Sequence, residues 1–201
     1  MTITQPDPDA PLLDRLRAGD EQAFVTLISR YRPSMLRLAA GYVPSQAVAE
    51  EVVQDTWLAV LRGVSRFEGR SSVRTWLFRI LVNRARTAGE RERRAMAVPD
   101  PAAAVDPARF DPSGSWSLPP EHWVDLVDDR LIAQQMAGRV RSAIMDLPAQ
   151  QREVVTLRDV EGLTSGEVCD VLDLTEANQR VLLHRGRSRL RQVLESEFGR
   201  P

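Results

Sequence analysis

Six of the 13 prolines in this 201-residue chain fall between residues 95 and 126: Pro99, Pro101, Pro107, Pro112, Pro119 and Pro120. Proline fixes φ and removes a backbone donor, so no helix runs through such a stretch. The segment also loses all apolar periodicity and carries Gly114 and a surplus of acidic side chains. It reads as an extended, Pro-rich acidic linker over 95–126. The chain therefore divides into two small domains, 10–94 and 127–197. Both show apolar residues at spacings of three and four, and the expected fold class is all-α.

In the first domain, Phe24, Leu27, Ile28, Tyr31, Met35 and Leu38 form one helical face over 20–40, with Asp20 as N-cap. Pro33 is expected to kink that helix or divide it in two. A second helix over 45–62 starts at Ser45, and Val48, Val52, Val53, Trp57, Val60 and Leu61 supply its apolar positions. Its outer face carries Glu50, Glu51, Gln54 and Asp55. The loop SRFEGRSS follows, then a helix from about Val73 to Arg94 with Trp76, Leu77, Ile80 and Leu81 inward and arginines outward.

In the second domain, one helix ends at Pro148 and another spans 149–160. Thr164 and Glu167 then form a Thr-x-x-Glu capping box. The short helix they start ends near Leu172, the turn Asp173–Leu174 follows, and Thr175 caps a longer helix running to about Glu195. A short helix, a tight turn and a longer basic helix make a helix-turn-helix. Its first turns carry Thr175, Glu176, Asn178, Gln179, Arg180 and His184. Asn, Gln and Arg are the side chains that read base edges bidentately. Arg185, Arg187 and Arg189 suit phosphates.

The formal net charge of −1 conceals strong patterning. Residues 66–94 carry +6, residues 95–129 carry −6 and residues 175–191 carry +4. Two basic blocks at opposite ends favour a polyanion partner over solvated helix faces. Every basic side chain is arginine, the better bidentate partner for phosphate. Within the acidic linker, Trp116 and Trp123 either dock on a domain or contact a partner.

Composition excludes other classes. No apolar run approaches the ~20 residues needed to cross a bilayer, so no membrane insertion is expected. The N-terminus lacks the basic start and apolar stretch of a signal peptide, which points to the cytoplasm. Cys169 is alone, and with His122 and His184 it supplies too few ligands for a zinc site. A structural role for the thiol is favoured over redox sensing. There is no Walker-type GxxxxGK[ST], GxGxxG or HExxH motif, so neither a cofactor nor an enzyme is expected.

The stretches RAGDEQAFVTLISRYRPSMLRLA and AEEVVQDTWLAVLRGVSRFEGRSSVRTWLFRILVNRAR resemble region 2 of sigma-70 family factors of the extracytoplasmic-function (ECF) type. LPAQQREVVTLRDVEGLTSGEVCDVLDLTEANQRVLLHRGRSRLR resembles their region 4. The resemblance implies a sigma factor that binds core RNA polymerase and directs promoter recognition, melting and initiation. It implies that Glu51, Gln54, Asp55, Trp57 and Leu58 grip the clamp helices of the largest subunit, and that region 4 holds the flap of the second-largest. The loop Phe67, Glu68, Gly69, Arg70, Ser71 and Ser72 would capture an unstacked base of the −10 element. Arg74, Trp76, Arg79, Asn83 and Arg86 would face the melting region as single strands. The −35 duplex would meet the recognition helix through the residues named above, with Arg185 and Arg187. An anti-sigma factor is implied as a further partner.

The chain departs from the family at Asp173, where Gly is frequent, and across Ala177–Leu182, where Leu182 replaces a frequent arginine. The alternative is a stand-alone helix-turn-helix regulator that binds duplex DNA without polymerase. Such a regulator needs a sensing or dimerising first domain, which the basic block and aromatic-bearing loop do not resemble.

Overall fold

The computed structural model describes residues 7–96 and 130–198. Ala95 and Met96 of the expected linker continue α4, and Trp116, Trp123 and the rest of it, from 97 to 126, lie outside the described residues. The first domain comprises α1 (Ala10–Arg17), α2 (Glu21–Ala40), α3 (Gln46–Gly63), a 3-10 turn (Val64–Arg66) and α4 (Val73–Met96). The second comprises α5 (Arg130–Met145), α6 (Ala149–Val155), a π turn (Thr156–Val160), α7 (Ser165–Leu172) and α8 (Glu176–Phe198).

Local chemistry sets the helix starts. The Asp20 carboxylate accepts the amides of Gln22 (2.9 Å) and Ala23 (3.3 Å), and Ser45 Oγ accepts that of Val48 at 3.3 Å. Thr164 and Glu167 make the reciprocal capping box. Thr175 Oγ1 accepts the Asn178 amide at 3.3 Å. α2 does not divide at Pro33. It continues to Ala40, because Tyr31, Met35, Leu38 and Ala39 bury its second half against the core. Tertiary burial there outweighs the missing proline hydrogen bond.

Leu27 and Met35 from α2, Val60 from α3 and Leu77, Phe78 and Leu81 from α4 are fully buried. Tyr31 meets Phe78 edge-on, with centroids 6.3 Å apart. The Tyr31 hydroxyl and Arg30 both donate to the buried Asp9 carboxylate, which ties the start of α1 to α2. Val154, Leu157, Leu163, Val168 and Leu172 make the C-terminal interior. The two interiors are contiguous, because α4 packs on α7.

Candidate nucleic-acid and polymerase interfaces

The loop between the 3-10 turn and α4 is pinned from below. Arg17 donates to Val64 O at 3.0 Å and to Phe67 O, and its guanidinium stands 6.0 Å from the Phe67 ring centroid. Phe67 lies against Trp76 with centroids 4.7 Å apart. Above this aromatic wall, Glu68, Gly69 and Arg70 are exposed, and Gly69 holds a left-handed φ of 71°. Glu68 and Arg70 pair at 3.0 Å. Ser72 Oγ accepts the Thr75 amide at 3.1 Å and starts α4, and Ser71 Oγ reaches Ser72 O at 3.4 Å.

Along α4, Arg79 and Asn83 are exposed. Arg74 and Arg86 are already engaged. Arg74 donates to the Glu161 carbonyl, and Arg86 donates to Glu153 Oε2 at 2.8 Å. Tyr42, whose hydroxyl is buried beside Glu153 and Arg86, has its pKa pushed far above the tyrosine range, mainly by burial. The Glu167 carboxyl feels burial as its largest influence. The Thr164 backbone and hydroxyl, with Ser72 and Thr75, outweigh it and hold its pKa below the usual range. This contribution to stability is present above the ordinary carboxylate range and is lost as pH falls through the lowered value.

The helix-turn-helix closes through Asp173, which adopts the left-handed conformation at φ 58°. Among non-glycine residues, Asp and Asn tolerate this region best, so Asp serves where Gly is frequent. The cap Thr175 faces solvent, as do Glu176, Ala177, Asn178, Arg180, Val181 and Arg185 of α8. Glu176 holds Arg180 at 3.0 Å. Arg187 is clamped by Asp159 of the π turn through two hydrogen bonds of 2.9 and 2.6 Å. His184 is half-buried. Gln179, expected to face a groove, is instead fully buried, and neither amide atom has a hydrogen-bond partner. It falls one position from Asn178, on the opposite side of the solvent stripe. That stripe includes Val181, 46% exposed, which the sequence reading passed over. Its signal was the three-residue step from Asn178. An exposed branched methyl group suits contact with a thymine methyl.

In the first domain, α2 and α3 enclose an open groove of about 420 Å³. Phe24, Ile28, Leu36, Trp57, Leu58 and Leu61 supply its apolar lining, with Glu50, Gln54 and Arg32 among its polar members. Trp57 is nearly buried and meets Phe24 edge-on at 5.6 Å, while Leu58 is 49% exposed. The five residues expected to grip polymerase therefore separate. Gln54, Trp57 and Leu58 line the groove. Glu51 and Asp55 face α4, with Arg91 at 4.0 Å and Arg84 at 3.5 Å.

Cys169 is a half-buried free thiol. Burial, then Glu176 and Asp170, push its pKa up. Among the described residues no cluster of His, Cys, Asp and Glu could hold a metal ion, and no helix is long and apolar enough to cross a membrane.

A four-helix unit with an aromatic-walled loop, followed by a helix-turn-helix, defines a two-domain helical protein with surfaces for nucleic acid. Family models agree with that division: Sigma-70 region 2 matches residues 27–95, and Sigma-70, region 4 matches residues 137–190. The ECF RNA polymerase sigma-E factor of Escherichia coli (strain K12) is 28% identical over 179 residues, covering 89% of this chain and 90% of that protein. The RNA polymerase sigma-H factor of Pseudomonas aeruginosa is 26% identical over 193 residues, covering 96% of each. Among solved structures, CnrH in complex with the cytosolic domain of CnrY shares the fold, with a TM-score of 0.64 and 22% identity over 94% of this chain and 99% of that one. The sigma factor RpoE from Bartonella quintana, in complex with the anti-sigma factor NepR, has a TM-score of 0.61 at 22% identity, over 86% of this chain and 96% of that one. The chain belongs to the sigma-70 family, as a factor of the ECF type. It directs promoter recognition by RNA polymerase and is an initiation factor, not an enzyme.

Proposed function

We propose that the domains 10–94 and 127–197 divide promoter recognition between them, joined by the linker 95–126. The loop Phe67–Ser72 captures an extruded base of the −10 element, and α4 tracks the adjoining single strand through Trp76, Arg79, Asn83, Arg74 and Arg86. The solvent stripe of α8 reads the −35 duplex. Asn178 and Val181 meet base edges, and Arg180, Arg185 and Arg187 meet phosphates. Thr175 and Glu176 set the start of the helix, and His184 lies at its flank. Gln179 is left out. The groove between α2 and α3 docks a helix of the largest polymerase subunit, with Leu58 as the exposed apolar contact and Gln54 at its rim. An anti-sigma factor competes for these faces, and the protein works in the cytoplasm, where polymerase and chromosome are.

The observation that carries this reading is the Phe67–Trp76 wall beneath an exposed, glycine-bearing loop at the start of an arginine-rich helix. A flipped base needs a fixed apolar surface and free polar edges, and this loop offers both. Run-off transcription on genomic fragments with the matching core polymerase tests it. Discrete starts that depend on added protein are expected. A salt-sensitive footprint on duplex DNA without polymerase, and no new starts, would identify a stand-alone regulator instead.

Two substitutions separate the surfaces. Leu58→Glu places a charge in the groove while the core stays intact, since half the side chain is already in solvent. Capture of core polymerase is expected to fall at least about tenfold, because a charge desolvated without a partner is costly. Circular dichroism is expected to be unchanged. Asn178→Ala is expected to cost about 1–3 kcal/mol of discrimination at one or two −35 positions and little at others, read by competition among operator variants.

A further inference from the structure

We propose that α1, with Asp7 just ahead of it, is a brace for base capture. Asp7 and Arg17 fix the two ends of the loop 67–72, and so set how fast and how selectively a promoter opens, without touching DNA. This role rests on the reading of that loop as the pocket for an extruded base.

The brace is anchored before it reaches the loop. Leu13 and Leu16 of α1 are buried, and α1 packs on α2 and on the 3-10 turn. The buried Asp9 carboxylate accepts from Arg30 and from the Tyr31 hydroxyl, both on α2. Asp7 is tied into the same turn. Its Oδ1 accepts the Asp9 amide at 3.0 Å, and its carbonyl accepts the Ala10 amide at 3.2 Å. At the other end of α1, Asp14 holds Arg17 at 2.8 Å.

Two arms then reach the loop. Arg17 donates to the carbonyls of Val64 and Phe67, where the 3-10 turn runs out and the loop begins. Carbonyls at a helix end lack partners of their own, so a guanidinium there fixes the exit direction of the chain. Asp7 Oδ2 accepts the amide of Val73, the first residue of α4. Ser72 Oγ is already committed to the Thr75 amide. Residues 47 to 66 positions earlier thus hold the loop at its entry and its exit. Between them Glu68, Gly69 and Arg70 stay exposed. The segment that does this precedes residues 27–95, the span matched by Sigma-70 region 2.

Fixed ends matter for this step. An extruded base forfeits its stacking, and a loop that had to be ordered at the same moment would add its own entropic cost. A loop held at both ends meets the base in one geometry, so its hydrogen-bonding groups favour one base edge. A loop freed at one end meets several bases in several poses. Asp7 and Arg17 are therefore positioning residues. They act on opening and on base choice, and leave the first encounter with the −35 duplex alone.

Holoenzyme reconstituted with the matching core polymerase provides the test. Its template is a promoter that the wild-type protein uses in run-off transcription, with each single-base substitution across the −10 element. Open-complex formation at rising holoenzyme concentration separates closed-complex affinity from the rate of opening. Arg17→Gln and Asp7→Ala are each expected to slow opening about tenfold and to weaken the preference at the captured position about fivefold, with closed-complex affinity unchanged. Asp7→Asn keeps an acceptor for the Val73 amide and is expected to restore both quantities. Circular dichroism is expected to show each variant folded, since the Arg17 side chain is 33% exposed and Asp7 is half-buried. A merely structural role would slow every template by one factor and leave base preference intact, and that result overturns the proposal. Unaltered opening by both variants, or failure of Asp7→Asn to restore it, overturns it too. So does a loss by Arg17→Gln confined to closed-complex affinity and abolished by salt, which would make Arg17 a phosphate contact. Wild-type holoenzyme that opens every template equally removes the capture reading, and the brace with it. Base-dependent opening that the variants leave intact removes the brace alone.

Discussion

Gln179→Leu is expected to stabilise the protein and to leave its affinity for duplex promoter DNA unchanged. Gln179 is fully buried near the start of α8, and both its amide oxygen and its amide nitrogen lack partners. A buried polar group without a partner costs about 1–3 kcal/mol, and leucine fills a similar volume with no polar atom. The gain should be of that order. Each kcal/mol corresponds to about 4–8 °C in a domain of 60–100 residues, so calorimetry reads it easily. A lower melting temperature would mean that ordered water satisfies the amide. A tenfold loss of DNA affinity in a folded variant would mean that the side chain turns outward on binding.

Gly89→Ala acts in the other direction. In most helix interiors this change gains about 0.5–1 kcal/mol, because glycine loses more backbone freedom on folding. Here a Cβ would stand 2.4 Å from the Tyr42 carbonyl oxygen, a backbone atom in the connection between α2 and α3. The backbone cannot step aside as a flexible side chain would, and the connection is held by the buried Val43 next to it. A net loss of about 1–3 kcal/mol is expected in denaturant unfolding, the usual cost of overpacking. Gly138→Ala in α5 is the control. Nothing lies within 4 Å of its Cβ, so the ordinary gain should appear. Stabilisation by both substitutions would refute the close approach of α4 to Tyr42.

The helices and their caps were legible because they depend on local chemistry. Asp20, Ser45, Thr164 and Thr175 each cap the helix that spacing and side-chain type indicated. Pro33 misled in part, since a proline's local cost says nothing of the core that holds the second half of α2. Gln179 was assigned by residue type, and residue type does not reveal which side of a helix is covered. Glu51 and Asp55 were grouped with Gln54 and Leu58 through the family resemblance of their helix, yet α4 takes one side of α3 and leaves the groove on the other. Glu153 and Glu161 gave no signal at all. Their partners lie 67 to 124 positions away, and only the packing of one domain on the other brings them together.

The contiguous interior of the two halves bears on how mutants of this protein should be interpreted. Alleles of a promoter-recognition factor are ordinarily sorted by the half of the gene in which they fall, with upstream lesions assigned to one promoter element and downstream lesions to the other. Val154, Leu157 and Val168 belong to the same apolar cluster as Leu77 and Phe78. A downstream lesion at one of them can therefore surface as a phenotype at the −10 element. Suppressors of an upstream defect should likewise be sought on both sides of the linker.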